Sequence, residues 1–85
     1  MERQGITMIK ILDTMNAGYR ITGVIMTSDE TGAVMAVKEV DGYGNVAFAI
    51  WSFNTYDGQL SFYWGHYVDN LKSALEELNK KVIEA

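Results

Sequence analysis

The chain contains no cysteine and no proline, and only one histidine. Without cysteine it has neither a disulfide framework nor a thiolate metal site, which fits a reducing compartment. With a single histidine, a metal centre would have to be built from scattered carboxylates, and their spacing matches no ligand pattern. No metal or other cofactor is expected. Positive charge is also scarce. Seven lysines and arginines face eleven acids, the net charge is −4, and the longest basic run is Lys80-Lys81. A generic nucleic-acid binder needs a basic patch, so direct nucleic-acid binding is disfavoured. Acidic mimicry of DNA would suit the sign, but such a charge is ordinary for soluble proteins, and solubility is the preferred account. No apolar run approaches the roughly 18 residues of a membrane span. The start, Met1-Glu-Arg-Gln-Gly5, lacks the charged and apolar regions of a signal peptide. A cytoplasmic protein is expected, with Met8 as an alternative start that would make Met1–Thr7 a dispensable, disordered extension.

What is present is a globular composition, 48% hydrophobic and 21% charged over 85 residues. One domain, 1–85, is expected. A chain this short buries only about 60–65% of its unfolded surface, so its stability margin is small.

Periodicity then divides the chain. Ile6–Leu12 reads as a first strand, ending in the turn formers of Asp13–Gly18. Tyr19–Thr27 reads as a second, with Tyr19, Ile21, Gly23 and Ile25 on one face and Arg20, Thr22, Val24 and Met26 on the other. Gly23 is a candidate bulge. Ser28–Gly32 is a turn, Ala33–Val40 a third strand, and Asp41-Gly-Tyr-Gly-Asn45 the strongest turn signal. Val46–Phe53 and Gln59–Gly65 read as strands joined through the favoured hairpin pair Asp57-Gly58. From there the period changes. Val68, Leu71, Leu75, Leu78 and Val82 recur at helical steps, with Asp69 as N-cap and Glu76–Lys80 and Glu77–Lys81 as i,i+4 pairs. Strands followed by a helix predict an α+β domain: an antiparallel meander of about five strands with one C-terminal amphipathic helix packed on one face.

One helix cannot cover both faces of such a sheet. Yet the fourth strand is apolar on both, with Val46, Phe48 and Ile50 opposed to Ala47, Ala49, Trp51 and Phe53. Either the sheet curls on itself or the second face meets another chain. Leu60, Phe62 and Trp64 are assigned to the core under the helix. Trp51, Phe53 and Tyr63, with Ala47 and Ala49, form the candidate dimer or partner surface. The same aromatics could stack single-stranded bases, but the basic groove that should accompany them is missing. The loop acids Asp29, Glu30, Asp41 and Asp57 are candidate contacts to a basic partner.

The case for catalysis is thin. His66 could be oriented by Asp69, with Ser61 on the preceding strand, but neither spacing is a known signature. Asp41–Asn45 lacks both the alternating oxygens of a calcium loop and the helix of a phosphate loop. At Tyr63-Trp-Gly-His-Tyr67, followed by Asp69 and a short acidic helix with Ala74 and Leu75, the chain resembles small uncharacterised proteins of Gram-positive bacteria, phages and mobile elements. Val46–Phe53 and Ala36–Val40 are also similar. The resemblance implies no activity. It suggests an accessory protein that acts by binding, for example as an anti-CRISPR-like inhibitor of a host defence nuclease. A non-enzymatic protein-interaction module, self-associating as a homodimer or binding a nucleic-acid-processing protein, is therefore the expected function. A small hydrolase or transferase using His66 and Asp69, or a single-strand binder, is the alternative.

Overall fold

The computed structural model describes residues 11–84. It is an α+β domain: a five-stranded antiparallel sheet in the order β1-β2-β3-β4-β5 with a C-terminal helix against it. The strands are β1 (Met15–Asn16), β2 (Tyr19–Met26), β3 (Thr31–Glu39), β4 (Val46–Asn54) and β5 (Ser61–Val68), and the helix is α1 (Leu71–Glu84). Short connections leave room for nothing but antiparallel neighbours.

Most of the expected strand Ile6–Leu12 lies outside the described residues. Its described end is not extended: Ile11 is helical and Leu12–Asp13 is a turn. The Ile11 carbonyl accepts the Thr14 amide, and Asp13 closes the turn at φ +68°. The first strand of the sheet instead lies within the segment assigned to a loop. Asn16 and Tyr19 pair across Ala17 and Gly18, which sit at φ +53° and +85°. Two central residues at positive φ give the hairpin twist that matches paired strands. Asp57 and Gly58, at +57° and +72°, lie in a 3-10 turn, Tyr56–Gly58, within a connection between β4 and β5 that is longer than the expected two-residue hairpin.

Each face of the sheet has its own core. Ala33, Phe48 and Ile50 are buried under Ala74 and Leu78 of α1, with Met35, Val37, Val68 and Val82 partly buried around them. Ile11, Ile21, Val34, Ala36, Ala49, Trp51 and Phe53 form the core on the other face, flanked by Tyr19, Val24, Met26 and Phe62.

Two bulges reassign the faces expected for β2 and β5. In β2 the register shifts between Ile21 and Gly23, so Tyr19 and Ile21 share a face with Val24 and Met26 rather than with Ile25. In β5 the shift falls opposite Trp51, with Trp64 at φ +55° as the extra residue. Phe62 pairs with Phe53, on the face away from the helix, whereas Tyr63 pairs with Ser52 on the helix face. Phe62 and Tyr63 thus lie opposite to their expected sides. An extra residue bends a strand and increases its twist. The two bulges lie at nearly the same level of the sheet, and the sheet curls.

The helix begins one residue later than expected. Asn70 caps it, its side-chain oxygen accepting the Ser73 amide at 2.8 Å, while the Asp69 carboxylate accepts the Asn70 side-chain amide. Neither expected i,i+4 pair is the contact made. Lys80 reaches Glu77 at 3.4 Å, and the Lys81 ammonium donates to the Trp64 carbonyl at 2.6 Å.

Candidate interaction surfaces

The face expected to meet a partner is closed within the chain. Trp51 is only 4% exposed, and Phe53 and Ala49 are fully buried. Of the two alternatives, the sheet curls. Phe62 and Tyr67 flank the Trp51 indole at centroid distances of 5.7 and 6.0 Å, and Tyr19 meets it edge-on at 5.8 Å. Gly65 lets the indole lie against the β5 backbone, because a Cβ there would stand 2.7 Å from Trp51 Nε1. Ala47 is half-buried, and Tyr63 is half-buried on the helix face. The five residues therefore do not form one exposed patch. This removes the structural basis for a dimer made through that face.

His66 pairs with Ile50 and so turns toward α1, where its Nε2 lies 3.6 Å from Glu77 Oε1. The carboxylate beside it is thus Glu77, not Asp69, which is engaged with Asn70. Ser61 pairs with Asn54 near the opposite end of β5. No base–nucleophile contact links Ser61, His66 and Asp69 among the described hydrogen bonds. Nor does any group of three histidine, cysteine or carboxylate side chains converge on a metal position among the described residues.

The loop acids are divided between the two ends of the sheet. The Thr55 amide donates to the Glu30 carbonyl at 2.8 Å, which ties the β2–β3 turn to the β4–β5 link and brings Asp29, Glu30 and Asp57 to one end. Asp41 lies at the other end, in the β3–β4 turn. There its carboxylate accepts the Asn45 side-chain amide and the Tyr43 amide, and these bonds hold its pKa below the ordinary aspartate value. Bonds to the charged form favour ionisation.

Two exposed features lie elsewhere. The first is on the helix face. Glu77 and Lys81 reach β5, and at 100° per residue the opposite flank of α1 carries Leu71, Leu75 and Val82 toward β3 and β2. Leu71 is 51% exposed, Leu75 48% and Ile25 of β2 40%. Met35 and Val37 lie half-buried on β3, and the position of Gly23 is open. Among the described residues, half-exposed apolar surface thus lies on the helix side. Leu71 and Leu75 both belong to the apolar repeat that marks the helix in the sequence. The available signal was the width of the stripe: Leu71, Ala74, Leu75, Leu78, Val82 and Ile83 span more of the helix circumference than one sheet contact covers.

The second is Trp64, which is 76% exposed rather than packed under the helix. It stands on the bulge with Tyr63 edge-on at 4.9 Å and with its carbonyl held by Lys81. Beside it, under the last turn of α1, runs a groove of about 350 Å³ lined by Thr27, Ser28, Thr31, Ser52 and Tyr63. Lys81 and Glu84 complete its wall. Three of these hydroxyls are linked, Thr31 to Thr27 at 2.9 Å and to Ser28 at 2.6 Å.

Comparison with protein-family models, with curated proteins and with solved structures returns no match. Among the described residues no helix is long and apolar enough to cross a membrane.

Proposed function

We propose that this chain is a non-enzymatic protein-interaction module that docks a partner along the apolar strip of Leu71, Leu75, Ile25, Met35 and Val37. The observation that carries the reading is the half-exposure of Leu71 and Leu75 on the flank of α1 away from β5, together with that of Ile25 on β2. A helix in a small domain derives most of its stability from burying its apolar face. Contiguous apolar surface that the fold leaves open marks an interaction site. Burying the two leucines fully would add about 1–3 kcal/mol to a complex, before ordering costs.

Charge favours a basic partner. The acids Asp29, Glu30 and Asp57 gathered at one end would meet its rim, so binding would weaken as salt rises. A nucleic-acid-processing protein has the complementary surface. The resemblance of Tyr63–Tyr67 to proteins of phages and mobile elements makes an inhibitor of a defence nuclease the specific version. A second copy of the chain could occupy the same strip. The hydrolase reading has little support, because among the described residues no nucleophile bonds to His66, and its neighbouring carboxylate is Glu77 rather than Asp69.

The test is Leu75→Glu, a change at a half-exposed position. Light scattering over a concentration series and retention of host proteins on immobilised chain would be compared for wild type and variant. Loss of self-association or of specific retention, with an unchanged melting temperature, is the expected result. Identical behaviour of the two proteins would overturn the assignment of this strip.

A further inference from the structure

We infer that the groove beside Trp64 is a subsite for a neutral sugar ring, independent of the apolar strip and on the opposite flank of α1. The groove walls bring together three kinds of group, and one ligand chemistry suits all of them.

The first is the indole of Trp64, 76% exposed. The Tyr63 ring meets it edge to face, while the bulge and the Lys81 bond to the Trp64 carbonyl hold the backbone that carries it. An aromatic side chain has few torsions to freeze on binding, so it offers a flat apolar surface at low entropic cost. Trp64 is held at φ +55°, a conformation unfavourable for a residue with a Cβ. The bulge that imposes this conformation also leaves the indole in water.

The second is the row of hydroxyls. Ser28 accepts the Glu30 and Thr31 amides, so its own hydroxyl proton goes to Thr31, which in turn lies 2.9 Å from the Thr27 hydroxyl. A hydroxyl carries one donor and two acceptor sites, so the capacity left for a hydroxylated ligand lies on Thr31 and Thr27. Ser52 and Tyr63 add two more.

The third is charge balance. The groove wall holds one ammonium, Lys81, and one carboxylate, Glu84. Their charges offset each other, so neither a phosphate nor an isolated cation is favoured. Both remain strong hydrogen-bonding partners for neutral hydroxyls.

A β-linked glucose-type pyranose fits this description. Its axial C–H groups make a flat apolar face for the indole, and its equatorial hydroxyls lie around the rim, toward Thr27, Thr31 and Glu84. The groove volume is at the small end of ligand sites, enough for a single ring rather than a long oligosaccharide.

The test is NMR titration of the isotopically labelled full chain with cellotriose and with chitotriose. N-acetyl-arginine amide serves as the cationic control. Saturable shifts of the Trp64 indole N–H and of the Ser28 and Thr31 amides are expected with at least one trisaccharide, while the buried Trp51 indole stays still. Trp64→Ala should keep the fold and weaken binding at least about tenfold. Absence of saturable shifts with both sugars up to about 20 mM would overturn the proposal. So would unchanged affinity in Trp64→Ala, or tighter binding of the arginine amide, which would identify a pocket for a cationic side chain. The Leu75→Glu variant should bind the sugar as wild type does, so loss of partner docking and loss of this subsite are separable.

Discussion

The rings of Tyr19 on β2 and Tyr67 on β5 meet at a centroid distance of 5.8 Å, although β3 and β4 lie between their strands. Across a flat sheet, three strand spacings would separate them by about 14 Å. The contact is therefore a direct measure of curl, and the bulges in β2 and β5 produce it. Phe62 and Tyr67 are five residues apart, an odd step that would place them on opposite faces of a regular strand. The extra residue at Trp64 returns both to the face of Trp51, which they flank from either side.

The two tryptophans should therefore respond in opposite ways to truncation. Trp51→Ala removes the centre of the buried aromatic cluster and should cost about 3–5 kcal/mol, a large share of the margin of a domain this size. Trp64→Ala removes an exposed ring and should stay within about 0.5 kcal/mol. Urea unfolding of both variants checks this. Comparable losses in the two would mean that Trp51 is not at the centre of a closed core.

A second contrast concerns glycines. In Gly65→Ala the new methyl would lie 2.7 Å from Trp51 Nε1 and 3.0 Å from its Cδ1. The indole must shift, at a cost of about 1–3 kcal/mol. Gly23→Ala meets nothing within 4 Å and has no positive φ. It should be neutral or stabilising by about 0.4–1 kcal/mol through the unfolded chain. Thermal melts of the pair test the packing of β5 against the indole, and a harmless Gly65→Ala would contradict it.

The Asp41 turn makes a prediction for pH. Its carboxylate is held below the ordinary aspartate pKa, first by the Asn45 side-chain amide and then by the Tyr43 backbone amide. A folded-state pKa below the unfolded one stabilises the fold at pH values above the unfolded pKa. That contribution is lost as the pH falls through the lower, folded value. In Asn45→Ala the Asp41 pKa should rise toward the ordinary value, read from the carboxyl carbon shift in an NMR titration. An unmoved pKa would mean that Asn45 is not the main cause.

By itself the sequence determined the fold class and, from Tyr19 onward, the order of elements. Strand periodicity from Tyr19 to Phe53, the Asp41–Asn45 and Asp57-Gly58 turns, and the helical spacing of Leu71, Leu75, Leu78 and Val82 are local signals, and local sterics and hydrogen bonding decide them. The helix cap was missed by one residue, because Asp69 and Asn70 are both good caps and only geometry chooses between them. The sequence also showed that one helix could not cover both apolar faces, and it left open which way the excess would be resolved. Tertiary structure decided that. A bulge is one extra residue placed by the pairing of a neighbouring strand, and it reverses every later side chain. The faces of Phe62, Tyr63, Trp64 and Val24 therefore depended on register with β3 and β4, which no window along β2 or β5 contains. Once those registers curl the sheet over Trp51, the expected binding face becomes core. Among the exposed groups are then those that the curl and the C-terminal helix leave behind: Leu71 and Leu75 on one flank of α1, and Trp64 beside its hydroxyl-lined groove on the other.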